Sequence, residues 1–170
     1  MPAFLDDHIA IRVASIERAS GFYRSVFGST ALSEPFEMAG EFAQRMLGER
    51  PGASFRMQQL SFDRGVLELF ELCGTPGRVG RAPASLLHVM HIGVQVDDVP
   101  AALELVVRNG GEVLVPETRW SEATLCFCAD PDGTVLELAD APIRELIRQR
   151  LTRAAAARPG RADTRGPRSR

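Results

Sequence analysis

Two histidines and two glutamates carry the most distinctive chemistry in this sequence. His8 and His91 open two segments that resemble each other, His8-Ile9-Ala10-Ile11-Arg12-Val13 and His91-Ile92-Gly93-Val94-Gln95-Val96. Glu68 and Glu137 lie in a second matching pair, Val66-Leu67-Glu68-Leu69 and Val135-Leu136-Glu137-Leu138. Imidazole nitrogens and carboxylate oxygens are donors that divalent transition metals take. A lone histidine at a strand start is ordinarily just a satisfied polar group. A lone glutamate between leucines is ordinarily a solvated face. Core packing gives no reason to repeat both in register, so the recurrence points to ligation. Two imidazoles and two carboxylates around one ion would leave one or two positions open for substrate oxygens.

The alternation of side chains says how these residues are held. Ile9, Ile11 and Val13 share one strand face, and His8, Ala10 and Arg12 the other. The second copy keeps that phase, with Ile92, Val94 and Val96 against His91, Gly93 and Gln95. Glu68 and Glu137 are each out of step with their leucine neighbours. All four donors therefore belong to polar faces opposite the apolar ones. His88, shortly before His91, falls on the other face and is left out as a ligand. Glu71 is out of phase with Glu68 and is left out too. Cys126 and Cys128 share a strand face and read as small core residues.

The chain is thus a doubled unit, each half reading strand, helix, then further strands. Helices are expected over 16–27, with Ser15 as N-cap and Gly28 as stop, and over 99–108, with Asp98 as N-cap, Pro100 in the first turn and Asn109-Gly110-Gly111 as stop. Strands are expected over 56–63 and 66–72, and in the second half at Leu114, over 124–129 and over 134–139. Asp130-Pro131-Asp132-Gly133 is a strong turn signal. The two matching pairs are not equally spaced, because the first half is longer in its middle, where 35–48 reads as a short inserted helix. The expected organisation is one domain over 1–141, with module one at about 6–75 and module two at about 86–141. A C-terminal helix over 142–153, capped by Asp140, and a disordered Arg-rich tail over 154–170 follow.

Composition excludes several other chemistries. All 20 basic residues are Arg, so Schiff-base, pyridoxal-phosphate and P-loop lysine chemistry is absent. Three cysteines make no disulfide framework. From Ile143 onward nine Arg face two acids, whereas everything before Ile143 is net acidic. An acidic body has no general affinity for nucleic acid. No apolar run approaches the roughly 20 residues that span a bilayer, and the segment 1–7 lacks a secretory signal pattern. No membrane partner and a cytoplasmic location are the expectations.

The order and spacing of four stretches resemble the vicinal oxygen chelate superfamily, which unites glyoxalases, bleomycin-resistance proteins and extradiol dioxygenases. The stretches are Asp7 to Val13 running into Gly21-Phe22-Tyr23-Arg24-Ser25-Val26-Phe27-Gly28; Leu67-Glu68-Leu69-Phe70; His91 to Asp98; and Asp130 to Leu138. They span roughly residues 6 to 140. The resemblance implies an α+β fold of paired βαβββ modules, forming an open, cup-shaped mixed sheet around a metal. It places the metal ligands on His8, Glu68, His91 and Glu137, a set similar to that of bacterial glyoxalase I. Methylmalonyl-CoA epimerases are close, with Gln usual where Glu68 stands. Any of Zn, Ni, Co, Mn or Fe suits such donors.

The activity implied is a metal-dependent isomerase, epimerase or lyase acting by proton abstraction next to a carbonyl, through a metal-chelated enediolate. The partner is a small-molecule substrate with vicinal oxygens. Glu137 is the first choice of base and Glu68 the second. Arg12, Gln95, Phe70 and Arg119 are the candidate substrate-binding residues, and Trp120 with the insert over 37–47 the candidate lid. Family members are often homodimers, some building the site across the subunit interface. The alternatives are an Fe(II) extradiol-type dioxygenase and a metal-free protein that sequesters an antibiotic.

Overall fold

A computed structural model describes residues 8–48, 52–74, 80, 89–120 and 122–156. The elements in chain order are β1 (His8–Val13), α1 (Ile16–Phe27), β2 (Thr30–Ala31), β3 (Phe36–Met38), α2 (Glu41–Leu47), β4 (Phe55–Ser61) and β5 (Val66–Leu72) in module one. Module two holds β6 (Ile92–Gln95), α3 (Val99–Arg108), β7 (Glu112–Trp120), β8 (Ala123–Ala129) and β9 (Val135–Ala139), with α4 (Ile143–Ala156) after it. The fold is α+β. Each module has its own mixed sheet, ordered β1-β5-β4-β2 and β6-β9-β8-β7. In both sheets the first and last strands pair in parallel, and the hairpin partners run antiparallel.

Local chemistry sets the two main helices. Ser15 adopts an extended backbone and its hydroxyl accepts from Arg18 N–H at 3.3 Å. Asp98 does the same for Ala101 N–H at 2.9 Å, and such caps contribute about 1 kcal/mol each. Glu71 adds a second cap to α1, accepting from Ile16 N–H at 2.9 Å while pairing with Arg56. It thus faces the helix side of its sheet. Gly28 ends α1 with φ 67°, a left-handed turn that favours glycine.

One hydrophobic core runs through both modules. Val13, Ile16, Phe22, Leu60, Leu67 and Leu69 of module one join Val99, Leu103, Val106, Cys126, Cys128, Leu136 and Leu138 of module two. Helix α1 meets α3 in this layer. At the seam a Cβ on Gly111 would lie 2.6 Å from the Ala129 carbonyl oxygen and 3.1 Å from the Phe22 ring. Only glycine lets the end of α3 approach so closely.

Polar bonds lock the same seam. The turn between β8 and β9 docks against module one, where Asp132 Oδ1 accepts from Ala14 N–H at 3.1 Å and from Arg18 at 2.5 Å. Tyr23 donates to Asp130 Oδ2 at 2.8 Å. Burial raises the Asp132 carboxyl above its ordinary range despite those donors. It also pushes the Tyr23 hydroxyl well up, with Asp130 adding to the shift.

Several expected boundaries move. The insert contains a strand, β3, before the short helix α2, and β2 was not expected. β7 is a long edge strand rather than a short one at Leu114, and it carries Arg119 and the lid candidate Trp120 at its end. Its exposure on nearly every residue hid the alternation that marks a strand. Helix α4 runs to Ala156, past the expected end at 153. The expected disorder from 157 onward, and His88, lie outside the described residues. Among the described residues no helix is long and apolar enough to cross a membrane.

Candidate metal centre

The shared core takes the helix-facing side of both sheets, so the polar alternation leaves four donors on the opposite faces. In module one Ala10 stands beside Glu68, and in module two Gly93 stands beside Glu137. The small residues leave room at each carboxylate for the histidine two positions earlier. His8 Nε2 lies 3.7 Å from Glu68 Oε2, and His91 Nε2 lies 2.9 Å from Glu137 Oε2. Two donors bonded at roughly 2.0–2.1 Å to a tetrahedral cation stand about 3.4 Å apart. The observed separations bracket that value, so each pair suits two corners of a coordination sphere. The side chains are 47% and 17% exposed in the first pair and 39% and 18% in the second, which keeps both accessible.

The four donors do not meet within one chain. Among the described residues no group of three or more His, Cys, Asp or Glu is placed to hold a metal. The physical reason is the helix layer. The modules pack through their helix-facing sides, and the donors sit on the sides turned away. One chain therefore presents two separate His–Glu pairs, one on each sheet, and does not bring the four residues to one point.

The surroundings of the two pairs differ. Register places Gln59 beside Glu68, and Phe127 beside Glu137. The Phe127 ring meets His91 edge-on, with centroids 5.5 Å apart. Helix α2 roofs one end of the module-one face, where Ala43 packs with Phe55 and Met57, flanked by Met38, Phe70 and Leu72. Phe70 lies against Phe55 with centroids 4.8 Å apart.

The candidate substrate residues divide accordingly. Arg12 is exposed on the donor face and is paired in register with Phe70. Gln95 is exposed on the donor face of β6. Arg119 pairs in register with Thr124, whose alternation puts it with Cys126 and Cys128 on the helix side. The structure thus groups Arg12 and Phe70 with the first pair and Gln95 with the second, and it places Arg119 apart from both. Gln59 and Phe127, beside the two glutamates, were missed from the sequence. Their signal was the strand register, which requires the hairpin pairing to be known.

Comparisons with known proteins agree with this architecture. The sequence profile of the Glyoxalase/Bleomycin resistance protein/Dioxygenase superfamily matches residues 7–138. The chain is 26% identical over 135 residues to a probable chloroplastic lactoylglutathione lyase of Arabidopsis thaliana, a match covering 78% of this chain. It spans about a third of that relative's length, 35%. It is also 26% identical over 135 residues to the lactoylglutathione lyase of Haemophilus influenzae, covering 78% of this chain and 90% of that protein. A solved glyoxalase family protein from Bacillus cereus has the same fold, with a TM-score of 0.70 at 18% identity over 82% of this chain and 95% of that one. With two matched modules and a profile running through most of its length, the chain belongs to the Glyoxalase/Bleomycin resistance protein/Dioxygenase superfamily.

Proposed function

We propose that this chain is a divalent-metal-dependent isomerase, epimerase or lyase that removes a proton from the carbon next to a carbonyl of a small substrate with neighbouring oxygens. The observation that carries the reading is the repeated His–Glu pair, at 3.7 and 2.9 Å, on two open sheet faces. Two donors make half a coordination sphere. The reading completes it with a second copy of the chain, module one of one protomer meeting module two of its partner across a twofold axis. His8, Glu68, His91 and Glu137 would hold Zn, Ni, Co, Mn or Fe. When bound, the ion supplies Lewis-acid stabilisation of charge developing on substrate oxygen, a contribution of several kcal/mol. Glu137 takes the proton and returns it, and Glu68 serves the opposite side. Arg12 and Gln95 face the substrate from their donor faces. The lactoylglutathione lyase relatives support the lyase branch.

Elemental analysis of the purified protein and deuterium uptake from D₂O test the reading. Methylglyoxal–glutathione hemithioacetal, acyl-CoA thioesters and keto-cyclitols serve as substrates. Bound divalent metal with exchange into one class is the expected result. A metal-free protein with no exchange overturns it, and oxygen consumption with catechols and bound Fe(II) selects the dioxygenase instead. Assembly across two chains has its own test. Mixing the His8→Ala/Glu68→Ala and His91→Ala/Glu137→Ala proteins restores about a quarter of the activity, because statistical heterodimers carry one intact centre of two. A centre built within one chain stays dead on mixing.

A further inference from the structure

We infer that Gln59 is a positioning residue for Glu68, holding one carboxylate oxygen so that the other is left for a metal; this rests on the reading of Glu68 as a ligand. Gln59 Nε2 donates to Glu68 Oε1 at 3.3 Å. Glu68 Oε2 is the atom that faces His8, at 3.7 Å. The amide is itself fixed end for end. Ser33 Oγ donates to Gln59 Oε1 at 2.7 Å, so the amide NH₂ is the end that must face the carboxylate.

Ser33 is in turn anchored by the β4 backbone and by a buried neighbour. Gln59 N–H donates to Ser33 Oγ at 3.4 Å, Leu32 N–H to the Gln59 carbonyl at 2.9 Å, and Gln58 Nε2 to the Ser33 carbonyl at 2.9 Å. The chain of donors runs one way: Ser33 to Gln59 to Glu68. A carboxylate with one oxygen occupied in this way offers a single oxygen, in a set direction, to a cation beside His8. Groups that orient ligands in this manner change metal affinity by about 10- to 100-fold.

Among the described residues module two has no such brace. Phe127 holds the position of Gln59 and its ring donates nothing to Glu137. Among the described residues a side-chain amide holds Glu68 and none holds Glu137.

The test uses Gln59→Met, which keeps length and approximate volume but removes the donor. Mn(II) and Zn(II) affinity is measured by competition with a chromophoric chelator, alongside the thermal midpoint of the metal-free protein. The expected result is about 10- to 100-fold weaker metal binding with the metal-free midpoint unchanged. Ser33→Ala, which frees the amide to turn over, weakens binding in the same direction by less. Wild-type affinity in Gln59→Met overturns the inference and leaves the ligand reading standing. A metal-free midpoint that falls with the affinity also overturns it, since Gln59 then acts on the fold. A wild-type protein that takes up neither ion removes both.

Discussion

Module one and module two are built on one plan, but their donor faces are finished differently. In module one α2 covers part of the face and Gln59 braces Glu68. Among the described residues no inserted helix lies on the module-two face, and Glu137 has His91 and the Phe127 ring as neighbours. The turns differ in the opposite sense. Asp132 of module two is buried and bonded into module one, whereas Asp63 in the corresponding turn of module one is exposed. Duplication thus supplies two carboxylates in the same register with different neighbours: Glu68 is hydrogen-bonded by a side-chain amide, and Glu137 lies against a histidine and an aromatic ring. Under the proposed function, the first setting suits a ligand and the second a proton carrier.

The sharpest way to break that comparison is to neutralise each carboxylate in turn. Glu137→Gln is expected to lower kcat by about 10²- to 10⁴-fold, the size of a positioned base, with a smaller change in metal affinity. Glu68→Gln is expected to reverse the order, losing metal first and recovering part of its rate at high metal concentration. Steady-state kinetics across a metal titration separates the two. Equal losses of kcat at saturating metal would mean the modules share the chemistry evenly.

The turns offer a second contrast, read in stability. Asp132→Ala leaves the Ala14 N–H without its acceptor and Arg18 without its partner. Loss of hydrogen bonds to a charged group costs about 1.5–3 kcal/mol, and the 42% exposure of Arg18 puts the cost toward the lower end. Asp63→Ala is expected to stay within about 0.5 kcal/mol, as exposed substitutions do. Denaturant midpoints compare them. Equal costs would show that the seam is not locked by the module-two turn.

Much of this was legible in the sequence. The alternation around His8 and His91, the cap residues Ser15 and Asp98, and the recurrence of Glu68 and Glu137 specified the modules and their donor faces. Each is a local pattern with a period or a spacing. What was not legible depended on which surfaces meet. The Asp130–Gly133 signal identified a turn but not the module it docks against. The separation of the four donors into two pairs follows from both modules burying their helix sides in one core, which leaves the two donor faces unjoined. Gln59 and Phe127 emerge only from cross-strand register. Exposed β7 lacked the apolar alternation on which strand recognition relies.

The finest probe of the comparison is a pair of thiols. Cys126 and Cys128 lie on β8 of module two, where module one has Gln58 and Leu60 on β4. Burial pushes the Cys126 thiol up to about 11 and the Cys128 thiol up to about 12, from an ordinary value near 9. Only the thiolate attacks an alkylating reagent, so at pH 8 the folded protein is expected to label at Cys73 alone. The raised values also fix the sign of the alkaline response. The folded state holds these protons more tightly than the unfolded chain, so their contribution is full below about pH 9 and is lost as pH climbs toward 11 and 12. Tyr23, raised in the same direction, adds to that decline. Replacing both cysteines with alanine is therefore expected to flatten the alkaline fall of the unfolding midpoint without abolishing it. Because the core passes through both modules, Cys126 and Cys128 should become reactive only at the rate of global unfolding. Faster labelling, detected by mass spectrometry against the unfolding rate, would mean that module two opens while module one stays closed.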